Sequence, residues 1–278
     1  MTNQKAKAET FLALHQRAAP FVLPNPWDAG SARLLEHMGF EALATTSLGV
    51  ANLHGQKGVS KEQVLENVRV IAAATNLPVN ADLEDGFATE PAAAAAIIPA
   101  ACEAGAVGGS IEDSINDPAA RPTDGSLPIL DFDLTVERVQ AAVEAARQLS
   151  VPFMLTARAE GMLYGQLDLD DIIRRLQAFE AVGADVLYAP GLKTIDQVRQ
   201  VTAEINKPFN MVMGFADPTI TLDQLADAGV QRVSIGGGLS RIALNAMRAA
   251  AQEMQAGNFT FLPDMIPVGD LHKAFDDG

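Results

Sequence analysis

The sequence predicts a (β/α)8 barrel, and three observations carry that prediction. Short apolar runs alternate with helical patterns along the whole chain. The charged residues best suited to chemistry stand just after successive apolar runs, at the strand ends where a barrel collects its active site. The length, 278 residues, suits one barrel of about 250 residues with a short extension.

The strand–helix units read in order as follows. Phe21–Pro24 is a strand before a helix near Ala29–Met38. Ala42–Thr46 is followed by a Gly-rich loop and a helix near Lys61–Thr75. Pro78–Asp82 precedes a helix near Glu90–Ala104, and Val107–Glu112 a long loop and a helix near Thr135–Leu149. Phe153–Ala157 precedes Leu169–Val182, and Ala184–Ala189 precedes Ile195–Glu204. Phe209–Met213 precedes Leu222–Ala228, and Gln231–Ile235 precedes Ser240–Gln255. Gly39, Gly105, Gly183 and Gly229 stand where helices must stop in a left-handed residue. Asp168 and Thr221 are N-cap candidates. Pro78, Pro152 and Pro208 begin strands, where a lost ladder donor costs little. No linker or low-complexity block divides the chain. The expectation is one domain over residues 1–278, with 256–278 as a C-terminal extension whose apolar Phe261, Leu262, Met265 and Ile266 cover the barrel or a neighbouring subunit.

Composition narrows the function classes. A net charge of −15 argues against a broad nucleic-acid-binding face. No stretch is long and apolar enough to span a membrane, and no apolar signal core follows Met1. One cysteine, Cys102, excludes an intrachain disulfide and reads as a packing residue late in a helix. A cytoplasmic location is the expectation.

The chemistry-bearing residues cluster at strand ends. Asp82 and Glu112 end the third and fourth strands, which a barrel places side by side. Two carboxylates above a barrel mouth suit Mg²⁺, which takes hard oxygen ligands and keeps several waters. Glu84, Asp85 and Asp113 are reserves for that site, and Asp113 could instead bond to loop backbone. Arg158 ends the fifth strand and can grip a carboxylate or phosphonate through two parallel hydrogen bonds, or pair with Glu112 or Glu160. Thr45–Gly49 is either an anion-holding turn or a plain one. Gly236–Gly238 reads as a phosphate loop or as close backbone packing. Of the four histidines, only His54 stands in a loop that could reach the mouth, so a His-based metal site or a Ser-His-Asp triad is disfavoured.

At this point a family resemblance emerges. Asn25-Pro26-Trp27-Asp28-Ala29-Gly30-Ser31-Ala32, Asn80-Ala81-Asp82, Ile111-Glu112-Asp113, Ala157-Arg158 and Asn210-Met211-Val212 come in the order seen in the isocitrate lyase/phosphoenolpyruvate mutase superfamily, which the chain resembles from about residue 20 to 255. Members bind Mg²⁺ and a 2-oxo acid, and make or break a C–C or P–C bond through an enolate. The resemblance implies Asp82, Glu112 and Arg158 as the catalytic set. It implies Asp82 and Glu112, with Glu84, as ligands of Mg²⁺ or alternatively Mn²⁺. It implies Arg158 and the Thr46–Ser47 amides as carboxylate holders, and Trp27 and Asn210 as pocket residues. A homo-oligomer, tetramer or dimer, is implied too.

The departures are informative. The superfamily's lyases carry a Lys-Lys/Arg-Cys-Gly-His loop after the fourth strand. Here Ser114–Gly125 has neither cysteine nor histidine, which points away from isocitrate or 2-methylisocitrate lyase. Asn80 replaces a usual aspartate, and no aspartate stands among Gln56–Gly58, which weighs against mutase chemistry. The reading is a C–C lyase of the oxaloacetate decarboxylase kind acting on a small 2-oxo acid, with Ser114–Gly125 as a lid. The alternatives are a phosphoenolpyruvate mutase or carboxyvinyl-carboxyphosphonate phosphorylmutase-like P–C enzyme, a non-catalytic 2-oxo-acid binding protein, and a phosphate-binding barrel isomerase.

Overall fold

The computed structural model describes residues 2–116 and 127–276. Eight parallel strands form the barrel: β1 (Phe21–Leu23), β2 (Leu43–Ala44), β3 (Val79–Asp82), β4 (Gly108–Glu112), β5 (Met154–Arg158), β6 (Val186–Tyr188), β7 (Phe209–Val212) and β8 (Arg232–Ser234). Hydrogen-bonded neighbours run β1-β8-β7-β6-β5-β4-β3-β2. The Ala44 amide donates to Pro24 O at 3.0 Å and draws the β1 and β2 ends together, so the sheet nearly closes.

The helices are α1 (Thr2–His15), α2 (Ala29–His37), α3 (Ser47–His54), α4 (Lys61–Ala74), α5 (Pro91–Ala95), α6 (Ile97–Glu103), α7 (Phe132–Arg147), α8 (Leu169–Ala181), α9 (Ile195–Ala203), α10 (Leu222–Asp227), α11 (Gly238–Gln255) and α12 (Val268–Asp276). Asp168 and Thr221 cap α8 and α10 as the sequence suggests, and the four stop glycines have positive φ.

Three elements differ from the sequence expectation. The segment after β2 is no Gly-rich loop: Thr46 caps α3 and the chain turns helical at once. The third helix splits into α5 and α6 at Ala96, because Pro99 has no amide to donate back across that turn. The N-terminal segment, left without an element by the strand–helix pattern, forms α1 and plugs the barrel floor. Phe11 is fully buried there, worth roughly 1.5–3 kcal/mol. A Cβ at Gly108 would lie 2.9 Å from the Phe11 ring, so only glycine lets α1 approach β4 this closely. Lys7 and Gln4 tie α1 down by donating to Thr75 O at 2.6 Å and Cys102 O at 2.7 Å.

In the extension, α12 returns to pack on α2, where Arg33 donates to Phe275 O. Residues 117–125 of the expected lid lie outside the described residues.

Candidate active site

Register sets the site. Asp82 pairs with Ser110, and Glu112 with Arg158, so the ends of β3, β4 and β5 stand in a row. Arg158 is the hub. Its Nη1 lies 3.0 Å from Glu112 Oε2 and 3.5 Å from Asp82 Oδ1, and its Nε donates to Glu160 Oε1. Its guanidinium carbon sits 5.0 Å from the centre of the Tyr188 ring, a cation–π contact that fixes its plane. Asp82 is oriented from β2's end: its Oδ2 accepts from Ser47 N and Ser47 Oγ, both at 2.9 Å. Glu112 Oε1 accepts from Ser114 Oγ.

The charges are crowded and out of water. Burial opposes the Arg158 charge, but Glu112, Glu160 and Asp82 outweigh it and hold the guanidinium firmly protonated. Burial raises Glu112 and Glu160, while Arg158 pulls both back. Burial, then Glu112 and Asp82, push Glu84 up to about 8.

A cavity of about 220 Å³ opens beside this hub. Of the residues that the family resemblance assigns to the site, Thr46, Ser47, Asp82, Arg158 and Asn210 line it. Glu112 stands behind Arg158, almost wholly buried. Glu84 has a left-handed backbone, φ 51°, beside the acids that shift it. Trp27 is not among the lining residues; its carbonyl accepts from Asn67 at 2.8 Å and its Cβ lies against Gly49. The Ser47 amide, expected to hold substrate, is engaged by Asp82, and the Thr46 hydroxyl caps α3.

Two of the three reserve acids are taken up by structural contacts. Asp85 accepts from the Phe87 and Asn116 amides, both at 2.9 Å. Asp113 accepts from Glu160 N at 2.7 Å and pairs with Arg175 at 3.0 Å. Gly236–Gly238 lines the cavity, but Leu48 packs on Gly237 where a side chain would go. His54 is exposed at the end of α3. Cys102 is buried on α6 beside Gln4, away from the mouth, and burial raises its thiol.

Sequence reasoning missed three residues that matter here, and named a fourth, Glu160, only as a possible pair for Arg158. Tyr188 ends β6 and lines the cavity. Asn25 Oδ1 accepts from the Ile235 and Gly236 amides at 3.1 and 2.9 Å, stitching the loops after β1 and β8. Glu160 is the closest acid to Arg158, and Arg232 lies in the barrel interior. Only Tyr188 had a usable signal, its place after an apolar run.

The donor set suits a hard cation of low protein coordination. Among the described residues, no three His, Cys, Asp or Glu side chains form a ready metal cage. Asp82 and Glu112 instead offer a pair, and Mg²⁺ commonly binds through one or two carboxylates and retained waters. Glu84 is raised first by burial and then by the Glu112 and Asp82 charges beside it.

Fold and site together define a (β/α)8 barrel with carboxylates and an arginine gathered at neighbouring strand ends beside one cavity. The chain belongs to the phosphoenolpyruvate phosphomutase family, whose model matches residues 11–255, and to the phosphoenolpyruvate mutase/isocitrate lyase superfamily of lyases and mutases. A protein of Burkholderia cenocepacia J2315, provisionally described as a lyase/mutase, is 48% identical, with a TM-score of 0.93 over 99% of this chain and 97% of that one. The 2-methylisocitrate lyase of Escherichia coli K12 is 27% identical over 80% of this chain and 75% of its own length. The oxaloacetate decarboxylase of Paraburkholderia xenovorans LB400 is 28% identical over 84% and 77%.

Proposed function

We propose that this chain is a Mg²⁺-dependent lyase that cleaves a C–C bond of a small 2-oxo acid through an enolate, with oxaloacetate as the first candidate. The observation that carries the reading is the row Asp82, Glu112, Arg158 at three neighbouring strand ends, with Asp82 and Arg158 on the wall of one small cavity and Glu112 behind Arg158. Asp82 and Glu112, with Glu84, would hold the metal, partly through waters; Mn²⁺ would use the same oxygens. Bound there, the metal supplies Lewis-acid stabilisation of negative charge developing on the keto oxygen.

The chain's own residues do the rest. Arg158, clamped by Glu160 and the Tyr188 face, presents its remaining N–H bonds to the substrate carboxylate. Ser47 keeps Asp82 aimed. Cleaving the bond to the leaving carboxylate releases CO₂ and leaves its electron pair on the enolate, which then takes a proton from water.

Two facts favour decarboxylation over the aldol-type lyases. Cys102 is the chain's single cysteine, and it sits away from the mouth. A relative over most of the chain is an oxaloacetate decarboxylase. A phosphonate acted on at a P–C bond would use the same row of residues and is the second candidate.

The working form is a cytoplasmic homo-oligomer. Helix α11 buries only Ser240, while its Ile242 and Met247 are 66% and 63% exposed. An apolar face this open suits a second copy of the chain.

The test is thermal stability with oxalate, an enolate mimic, with and without Mg²⁺. A rise in Tm that needs both supports the site. Arg158→Lys keeps the charge but loses the planar fork, and should weaken oxalate by about 10- to 100-fold, from the roughly 1.5–3 kcal/mol of a charge-assisted bond. Absence of any shift, or a Lys variant within threefold of wild type, would overturn the reading. Oxaloacetate turnover is then measured directly.

A further inference from the structure

The cavity does not end at Arg158. Arg232 and Asn80, both buried, line its interior, together with Ser110 and Ser234. Arg232 is only 2% exposed. Its Nε donates to Asn210 Oδ1 at 2.7 Å and its Nη2 to Thr156 Oγ1 at 3.0 Å, and its Nη1 lies 3.4 Å from His15 Nε2. All three partners are neutral. His15 is buried beneath Arg232, with its other ring nitrogen 2.8 Å from Phe11 O; burial and the Arg232 charge keep it unprotonated down to about pH 3.

The other buried arginines are treated differently. Arg158 meets three carboxylates, and Arg175 pairs with Asp113 at 3.0 Å. Arg138 forms no carboxylate ion pair among the described residues either, but it donates to the Ala88, Thr89 and Asp85 carbonyls and has Asp85, Asp113 and Glu112 near enough to favour its charge. Among the described residues no carboxylate forms an ion pair with Arg232. A buried guanidinium without a counter-charge is among the costliest features a core can hold. A second observation points the same way. Asn80 Oδ1 is buried with no partner, and its Nδ2 makes only a 3.4 Å contact with Ala81 O. That amide is free to turn its N–H bonds toward an acceptor in the cavity.

We infer that the barrel floor is a second anion subsite, in which Arg232 and Asn80 take a small carboxylate: the far end of a substrate whose near end is held at Arg158. The inference deepens the function proposed above and rests on it for the near end. Thr156, which touches Arg232, stands two residues before Arg158 on β5. The floor is therefore about 6.6 Å below Arg158, at roughly 3.3 Å per strand residue. A short dicarboxylate fits that depth, and a cavity of about 220 Å³ admits little more. The same donors would accept a free anion such as chloride, and the experiment separates the two sources.

The protein with Mg²⁺ is titrated calorimetrically with malate, lactate and oxalate. Malate and lactate share a 2-hydroxy acid end, and only malate carries a second carboxylate. Malate should bind at least tenfold more tightly than lactate. Arg232→Gln should shrink that ratio below threefold and leave oxalate unchanged. Melting is also compared in sodium chloride and sodium gluconate. A chloride-dependent rise in wild-type Tm, with malate and lactate equal, would overturn the substrate assignment and give the floor to a free anion. Equal binding, no chloride effect and intact oxalate binding would overturn the subsite while the proposed function stands. Failure of oxalate in wild type, with the malate preference intact, would reject that function and keep the subsite. The wild-type comparisons decide even where the variant does not fold.

Discussion

His15 offers a direct probe of the electrostatics under the barrel. Its ring is buried between Phe11 and Phe21, with centroids 4.7 and 4.9 Å away, and faces Arg232. Burial first, and Arg232 second, lower its pKa from 6.5 to about 3. The folded chain therefore binds no proton here at pH 5, whereas the unfolded chain does. The unfolded state takes up more protons between 6.5 and about 3, so stability present above pH 6.5 is lost as pH falls through that window. For this shift, the loss between about pH 7.5 and pH 5 comes to about 2 kcal/mol. His15→Gln retains a polar group for Arg232 and cannot titrate. Urea unfolding of both proteins at the two pH values measures the difference. The variant should lose about 2 kcal/mol less than wild type on acidification. Equal losses, within about 0.5 kcal/mol, would refute the claim that His15 is held neutral against a buried cation.

Two further outcomes check the site and the assembly. Cys102→Ala should leave oxaloacetate turnover within about twofold of wild type while costing about 1 kcal/mol of stability, because the thiol packs α6 on Gln4 rather than serving the mouth; loss of turnover in a folded variant would place a cysteine in the chemistry. Ile242→Glu with Met247→Glu should produce a smaller species in analytical ultracentrifugation, since charge on the open face of α11 opposes burial against a second copy. An unchanged mass would clear α11 of that role.

The barrel was legible in the chain because alternation of apolar runs and helical periods is local. Each β-strand is bounded by its own neighbours, and Gly39, Gly105, Gly183 and Gly229 end helices for reasons that lie within a few residues. The same locality placed Asp82, Glu112 and Arg158 at strand ends. Once eight strands close in order, adjacent ends must meet, and the register of β3, β4 and β5 brings these three together. Trp27 shared the early motif but is not on the cavity wall: its carbonyl is held by Asn67 and its Cβ lies against Gly49.

What only the tertiary structure decided are the meetings across the barrel. Arg232 on β8 touches Thr156 on β5 and His15 on α1, partners 76 and 217 residues away. Arg175 on α8 reaches Asp113, turning an apparent ligand into a buried ion pair. Glu160 turns back on Arg158 because its amide is held by Asp113. A strand's period tells which side chains point inward; it does not tell which inward side chains share a level or which charges go unpaired there. Those depend on the stagger of eight strands and on the helix that plugs them from below, and they set the depth and the electrostatics of the cavity.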